Sequence, residues 1–252
     1  MTEPAARRPP GAELQDVLDG VHSRCRADRS GVLADYIPEL TRANPEAFGL
    51  AIATVSGDLC MAGDALEPFT IQSVSKAFTY CLAMELAGTD AVMSRVGVEP
   101  SGDAFNSIQF DPATRRPYNP MVNAGAITVA GILHDELGDA AFDFVLDRLS
   151  IAAGRRLDLD EAVYRSEAAT GHRNRAISHL LLAAGVLSEP VEPIVDLYFR
   201  QCSIRVTAVD LAWMGASPAW ARPKLGSRAT ALSKLALASS KRLFDSESMA
   251  SA

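Results

Sequence analysis

Leu14, Val17, Leu18 and Val21 recur at three- and four-residue intervals between polar positions. That spacing lines side chains along one helical face and predicts an amphipathic helix over residues 12–27. From Phe48 the pattern changes: FGLAIATVSGDLCMAGD carries two short apolar stretches around Ser56-Gly57-Asp58, which predicts a hairpin over 48–62. Helical spacing or helix-start signals return over 73–87, 121–136, 140–152, 160–169, 173–184, 191–203 and 207–215, separated by Gly- and Pro-containing breaks. Thr207 followed by Asp210 reads as a capping box at the start of the last of these. No stretch repeats at a fixed period, and no low-complexity linker divides the first 210 residues. The pattern is that of a largely helical α/β chain whose sheet begins with the hairpin.

Composition narrows the functional classes. At 252 residues and 48% hydrophobic, the chain can bury a substantial core as one large domain or two intimately packed ones. A net charge of -7 argues against nucleic-acid partners, which require clustered positive charge. MTEPAARRPPGAEL lacks a continuous apolar run, and MVNAGAITVAGIL is shorter than a bilayer span, so no membrane partner and a cytoplasmic location are expected, with residues 1–11 a disordered leader. Cysteines 25, 60, 81 and 202 show no C-x-x-C spacing and are expected as buried small hydrophobes. His22, His134, His172 and His179 form no H-E-x-x-H, so neither metal nor cofactor is expected, and His172 and His179 read as surface or half-buried residues.

The candidate chemistry lies in FTIQSVSKAFTY, where Ser73 and Lys76 stand three apart. An S-x-x-K arises about once by chance in a chain this long. Usage sharpens it: the chain has 20 Arg and 4 Lys, and Lys76 is the sole lysine before Lys224. A guanidinium cannot release its proton at workable pH, whereas an ammonium can when burial or nearby positive charge lowers its pKa. A helix beginning near Gln72 and Ser73 sets the two heads one turn apart on one face, with the positive helix end favouring an oxyanion and a neutral amine. The alternative is an N-cap serine followed by a solvated lysine.

FTIQSVSKAF resembles the nucleophile segment of the serine-dependent glutaminases, relatives of the β-lactamase and penicillin-binding fold. LADYIPELTRANPEAFGLAIATVSGDLCMAGDA, GVEPSGDAFNSI, RPYNPMVNAGAI, SEAATGHRNRAISHLL and LYFRQCSIRVTAVDLAWMGA are similar to further blocks of that family, in order, over about residues 12–216. The resemblance implies a β-lactamase-like fold, largely helical with a central antiparallel sheet. It implies hydrolysis of L-glutamine to L-glutamate and ammonia through an acyl-enzyme, with Ser73 as nucleophile, Lys76 as general base and Tyr36 facing the same pocket. Ser73, Asn123, Glu167, Asn174 and Tyr198 match substrate-binding positions. An anion and neutral amide or phenol donors suit a free amino acid. Taken alone, Asn123 is equally a helix cap, Glu167 a solvated acid and Tyr198 a core residue. Assembly as a homodimer or homotetramer is implied, with no interface specified.

Beyond Ala216 the resemblance gives out. The tail 217–252 carries Asp245 and Glu247 against Arg222, Lys224, Arg228, Lys234, Lys241 and Arg242, an inversion of the acidic body. A different reading frame or a divergent terminus would both look like this. The resemblance implies a further substrate tyrosine and valine, a Lys-Ser-Gly strand and the remaining sheet strands, none found in the tail. The expectation is therefore an incomplete sheet and little or no glutaminase turnover. An active glutaminase, a noncatalytic remnant and a penicillin-recognising acyl-transferase are the readings carried forward.

Overall fold

One helix is buried on every side. In the computed structural model, which describes residues 10–100, 102 and 108–217, every residue from Asn123 to Leu133 is buried. That stretch, NAGAITVAGIL, has no polar face to present, so it forms the axis of the body. Around it run α1 (Pro10–Cys25), α2 (Ser75–Ala87), α3 (Thr89–Arg95), the axis itself as α4 (Asn123–Leu137), α5 (Ala141–Ala153), α6 (Glu161–Thr170), α7 (His172–Ala183), α8 (Val191–Cys202) and α9 (Ala208–Ala216). Helices α2, α5, α7 and α8 pack directly on α4. Gly125 lets the segment leading into α4 fold back against it, because a Cβ there would lie 2.0 Å from the Asn119 carbonyl oxygen.

Among the described residues the strands are short and form two small antiparallel sheets. β1 (Gly49–Ala53) and β2 (Leu59–Gly63) make the expected hairpin, with Gly49 opposite Gly63 and Ala53 opposite Leu59. Helix α9 packs on β1 and α1 on β2. In the second sheet, β5 (Ile204–Val206) lies between β3 (Phe69–Thr70) and β4 (Asp158–Leu159). Among the described residues no strand joins the two sheets. The strands of the second sheet span two or three residues each, too few for alternation to announce them.

Every helix expected between residues 73 and 215 is present, and α3 is an addition. Pro10 and Gly11, expected in the leader, open α1 instead. Residues 1–9 of that leader and 218–252 of the tail lie outside the described residues, as does much of the GVEPSGDAFNSI block. Of the cysteines, Cys60 and Cys202 are buried as expected, whereas Cys25 and Cys81 are exposed because they fall on outward sides of α1 and α2. His172 and His179 are exposed.

The capping box at the start of α9 forms in full. Thr207 Oγ1 accepts from the Asp210 backbone N–H (3.1 Å), and Asp210 Oδ2 accepts from that of Thr207 (2.7 Å). Asp210, 3% exposed, also takes a two-pronged hydrogen bond from Arg155, Nε to Oδ1 at 2.8 Å and Nη2 to Oδ2 at 2.6 Å. Removing this carboxylate unmakes a cap and strands part of a guanidinium, while removing the threonine hydroxyl loses only part of the cap. Asp210→Ala should therefore lower unfolding free energy by about 2–3 kcal/mol and Thr207→Ala by about 1 kcal/mol in urea titrations. Equal losses would mean that the Arg155 pairing contributes nothing.

Candidate active site

Three helices begin at one place. Lys76 is the second residue of α2, Asn123 the first of α4 and Asn174 the third of α7. Their side chains form a line: Lys76 Nζ donates to Asn123 Oδ1 (2.7 Å) and to the Met121 carbonyl (3.0 Å), and Asn123 Nδ2 donates to Asn174 Oδ1 (3.0 Å). Lys76 is 2% exposed, so it is not a solvated helix lysine. Ser73 is not a cap either: the N-cap of α2 is Val74, with no side-chain cap, and exposed Ser73 sits in the single 3₁₀ turn 72–74 that runs into the helix. The turn sets Ser73 about one helical turn ahead of Lys76 on the same side. Asn123 likewise neither caps nor breaks α4, whose N-cap is Val122.

The turn before Ser73 is strained. Gln72 has φ +48°, a left-handed conformation uncommon outside glycine, and such residues cost about 1–3 kcal/mol each. It is held there from the β3 side, where Ile71 N–H donates to the Ile204 carbonyl (2.8 Å) and Phe69 and Thr70 pair with Val206 and Arg205.

Glu167, Tyr198 and Tyr36 close the neighbourhood. Glu167 lies in the last turn of α6 at 6% exposure, and its Oε2 has no hydrogen-bond partner among the described residues. It is not a solvated acid. Tyr198 is 2% exposed on α8 and shares a hydrogen bond with the Cys202 thiol. Tyr36 is largely exposed, and the segment following it is fastened to α6 where the Glu39 N–H donates to Ser166 Oγ (3.2 Å). The break between α6 and α7 falls at Gly171, where a Cβ would lie 2.3 Å from Phe199 Cζ. That break turns Asn174 toward the starts of α2 and α4.

Burial dominates the electrostatics. It pushes the Glu167 carboxyl up to about 8, against the pull of the Lys76 charge. It brings Lys76 down to about 8, opposed by Cys202 and Glu167. Burial raises the phenol of Tyr198, and partial burial that of the more exposed Tyr36, and Cys202 and Glu167 then raise both, so these groups share one field. A neutral Lys76 has two N–H bonds to give, for which Met121 and Asn123 are acceptors, and one lone pair that can accept a proton.

The sequence reading missed four contributors: the Met121 carbonyl, Ser75, Gln201 and Cys202. The last three are fully or almost fully buried. Gln201 had a signal in the sequence, since it stands seven residues after Ile194 on the stripe formed with Leu197 and Tyr198, a core position held by a polar side chain. Among the described residues no cluster of His, Cys, Asp and Glu can hold a metal ion, and no helix is long and apolar enough to cross a membrane.

Helices gathered around a buried axis, small antiparallel sheets and an S-x-x-K turn with an interior lysine define the β-lactamase-like class. Within it, the chain belongs to the glutaminase family, whose Glutaminase model matches residues 31–242 and so runs past Ala216. Glutaminase 2 of Bradyrhizobium diazoefficiens is 53% identical over 210 residues, covering 83% of this chain and 33% of its own length. The glutaminase of Trichormus variabilis is 45% identical over 204 residues, covering 81% and 61%. Among solved structures, Mglu in its glutamate form superposes with a TM-score of 0.74 at 41% identity, covering 83% of this chain and 47% of that one. The probable glutaminase of Bacillus subtilis, complexed with 6-diazo-5-oxo-L-norleucine, does so with 0.68 at 31% identity, covering 84% and 65%. The chain thus spans between about a third and three fifths of the length of these curated relatives.

The raised Glu167 pKa is also a statement about stability. Its folded value, about 8, exceeds the ordinary 4.5, so the folded state holds a proton that the unfolded chain releases between those values. The contribution of Glu167 is complete below about pH 4.5 and is lost as pH rises through 8. Glu167→Gln, which cannot ionise, should match the wild type near pH 4.5 and become progressively more stable than it up to about pH 8. Urea titrations at three pH values test this, and a constant difference would remove the buried carboxylate from the account.

Proposed function

We propose that this chain carries the site for hydrolysis of L-glutamine to L-glutamate and ammonia through an acyl-serine at Ser73. The observation that supports this most directly is the interior Lys76 held by two oxygen acceptors, one turn after an exposed serine. Neutral Lys76 takes the Ser73 proton with its lone pair, and Ser73 Oγ bonds to the side-chain amide carbon. Backbone N–H groups at the turn, that of Ser73 among them, receive the developing oxyanion. The proton passes from Lys76 to the departing nitrogen, the C–N bond breaks and ammonia leaves. Water then attacks the ester carbonyl with Lys76 again as base, releasing glutamate and restoring Ser73.

Recognition follows from the same geometry. The substrate ammonium pairs with Glu167, whose second oxygen has no protein partner among the described residues. The pairing ionises the carboxyl, because a neighbouring cation lowers its pKa. The substrate carboxylate lies toward the starts of α2, α4 and α7, where three positive helix ends converge. Asn123 and Asn174 add amide contacts, and Tyr36 and Tyr198 phenol donors. The names of the relatives favour glutamine as substrate, as do the glutamate and the glutamine-like diazoketone in two of their structures.

Ser73→Ala should abolish glutamate release in a coupled assay while leaving the thermal melt unchanged. Lys76→Arg should fall by about 10²–10⁴, nearly as far as Lys76→Ala, since it keeps the charge but cannot accept the proton. An Arg variant with most of its turnover would make Lys76 an electrostatic anchor and overturn the mechanism. Because neutral Lys76 and ionised Glu167 are both favoured above about 8, kcat/KM should climb between pH 6 and 9. A flat profile would count against both assignments.

A further inference from the structure

The turn carrying Ser73 is gripped at both ends by one continuous segment, residues 201–206. At its leading end, Ile71 N–H donates to the Ile204 carbonyl (2.8 Å), and β3 pairs with β5. At its trailing end stands Ser75, the first residue of α2, wholly buried. Its hydroxyl lies 3.5 Å from Gln201 Nε2 and 4.0 Å from Cys202 Sγ, and Cys202 in turn meets the Tyr198 hydroxyl. The Ser75 N–H bonds back to the Gln72 and Ser73 carbonyls, so displacement of Ser75 is felt at the serine.

Gln201 is an expensive choice for this position if packing were its only task. It is 0% exposed, and its Oε1 has no hydrogen-bond partner among the described residues. A buried unpaired carbonyl is destabilising, and an apolar side chain of the same shape would avoid that cost. Retention of a half-satisfied amide beside a strained turn points to a task other than stability.

We infer that Gln201 and Ser75 form a positioning pair that fixes the 72–75 turn, and hence Ser73 Oγ, for attack on the substrate amide. The inference rests on the proposed acyl-serine reaction. Neither residue touches substrate in this account. Their effect is on the approach geometry of the nucleophile, where about 1 Å of misplacement can cost a hundredfold in rate. Cys202, whose thiol burial pushes up to about 12, stays an uncharged S–H and completes the packing between the turn and Tyr198.

The test is covalent labelling of Ser73 in the 252-residue chain by 6-diazo-5-oxo-L-norleucine, followed by intact mass, in wild type, Gln201→Met, Ser75→Ala and the double variant. The maximal labelling rate should fall about tenfold or more in each single variant, with the half-saturating concentration unchanged. The double variant should fall no further than the worse single one, as expected of residues acting as a unit. The melting temperature of Gln201→Met should hold or rise, because the unpaired carbonyl is gone. Labelling of Gln201→Met at the wild-type rate overturns the inference, whatever its melting temperature. So does a loss in the double variant equal to the product of the single losses. If Gln201→Met fails to fold, the amide is structural and the pair is refuted unless Ser75→Ala alone reproduces the rate loss at an unchanged melting temperature. A wild-type chain that is not labelled at Ser73 refutes the proposed reaction itself, an outcome distinct from unequal rates among labelled proteins.

Discussion

An amine placed in the protein interior must have its protons accepted by something other than water, and this requirement organises the structure around Lys76. Removing an ammonium from water costs several kcal/mol even after relaxation, so the group either loses its proton or finds fixed acceptors. Here both happen: the Met121 carbonyl and the Asn123 amide receive its N–H groups, and burial brings its pKa into the range where the neutral form is accessible. The acceptor amide must itself be oriented, which Asn174 does from a third helix. One side chain thus ties together the starts of α2, α4 and α7. The axis helix α4, buried throughout its first three turns, supplies the rigid member to which the other two are referred.

Convergence of helix starts has an electrostatic consequence. Each contributes partial positive charge from unpaired N–H groups, which disfavours an ammonium and favours anions in the same space. Glu167 provides the counterweight at the end of α6, close enough that each group shifts the other, yet its own burial keeps it protonated to about 8. The site is therefore poorer in negative charge than its carboxylate alone would make it. On the proposed reading, a zwitterionic substrate would meet anion-favouring helix ends on one side and a carboxyl ready to ionise on the other.

Most of the architecture was legible in the chain. Helical spacing located every helix from α4 to α9 to within one or two residues, because each has a buried stripe, a break or a cap to mark it. Helix α3 is too short to show a period, and β3, β4 and β5 take their existence from one another across long sequence separations. The site divides in the same way. S-x-x-K and the rarity of lysine singled out Ser73 and Lys76, whereas the meeting of Asn123 with Asn174 is a fact of three-dimensional packing that no spacing expresses. The resemblance supplied that pairing of blocks without its geometry. Ser75 and Gln201 escaped because a buried serine or glutamine looks locally like an ordinary surface residue, and only the stripe on α8 betrays the second.

The single-residue joint between α6 and α7 constrains how this protein can change over time. Glu167 and Asn174 sit on either side of Gly171, and Phe199 fills the space where any side chain at the joint would go. A residue added to or removed from this stretch would rotate one partner by about 100° around its helix relative to the other. Substitution can therefore explore chemistry at many positions between 161 and 183, whereas insertion and deletion are closed to it. Lineages descending from such a chain should diversify there in composition while keeping the count of residues fixed.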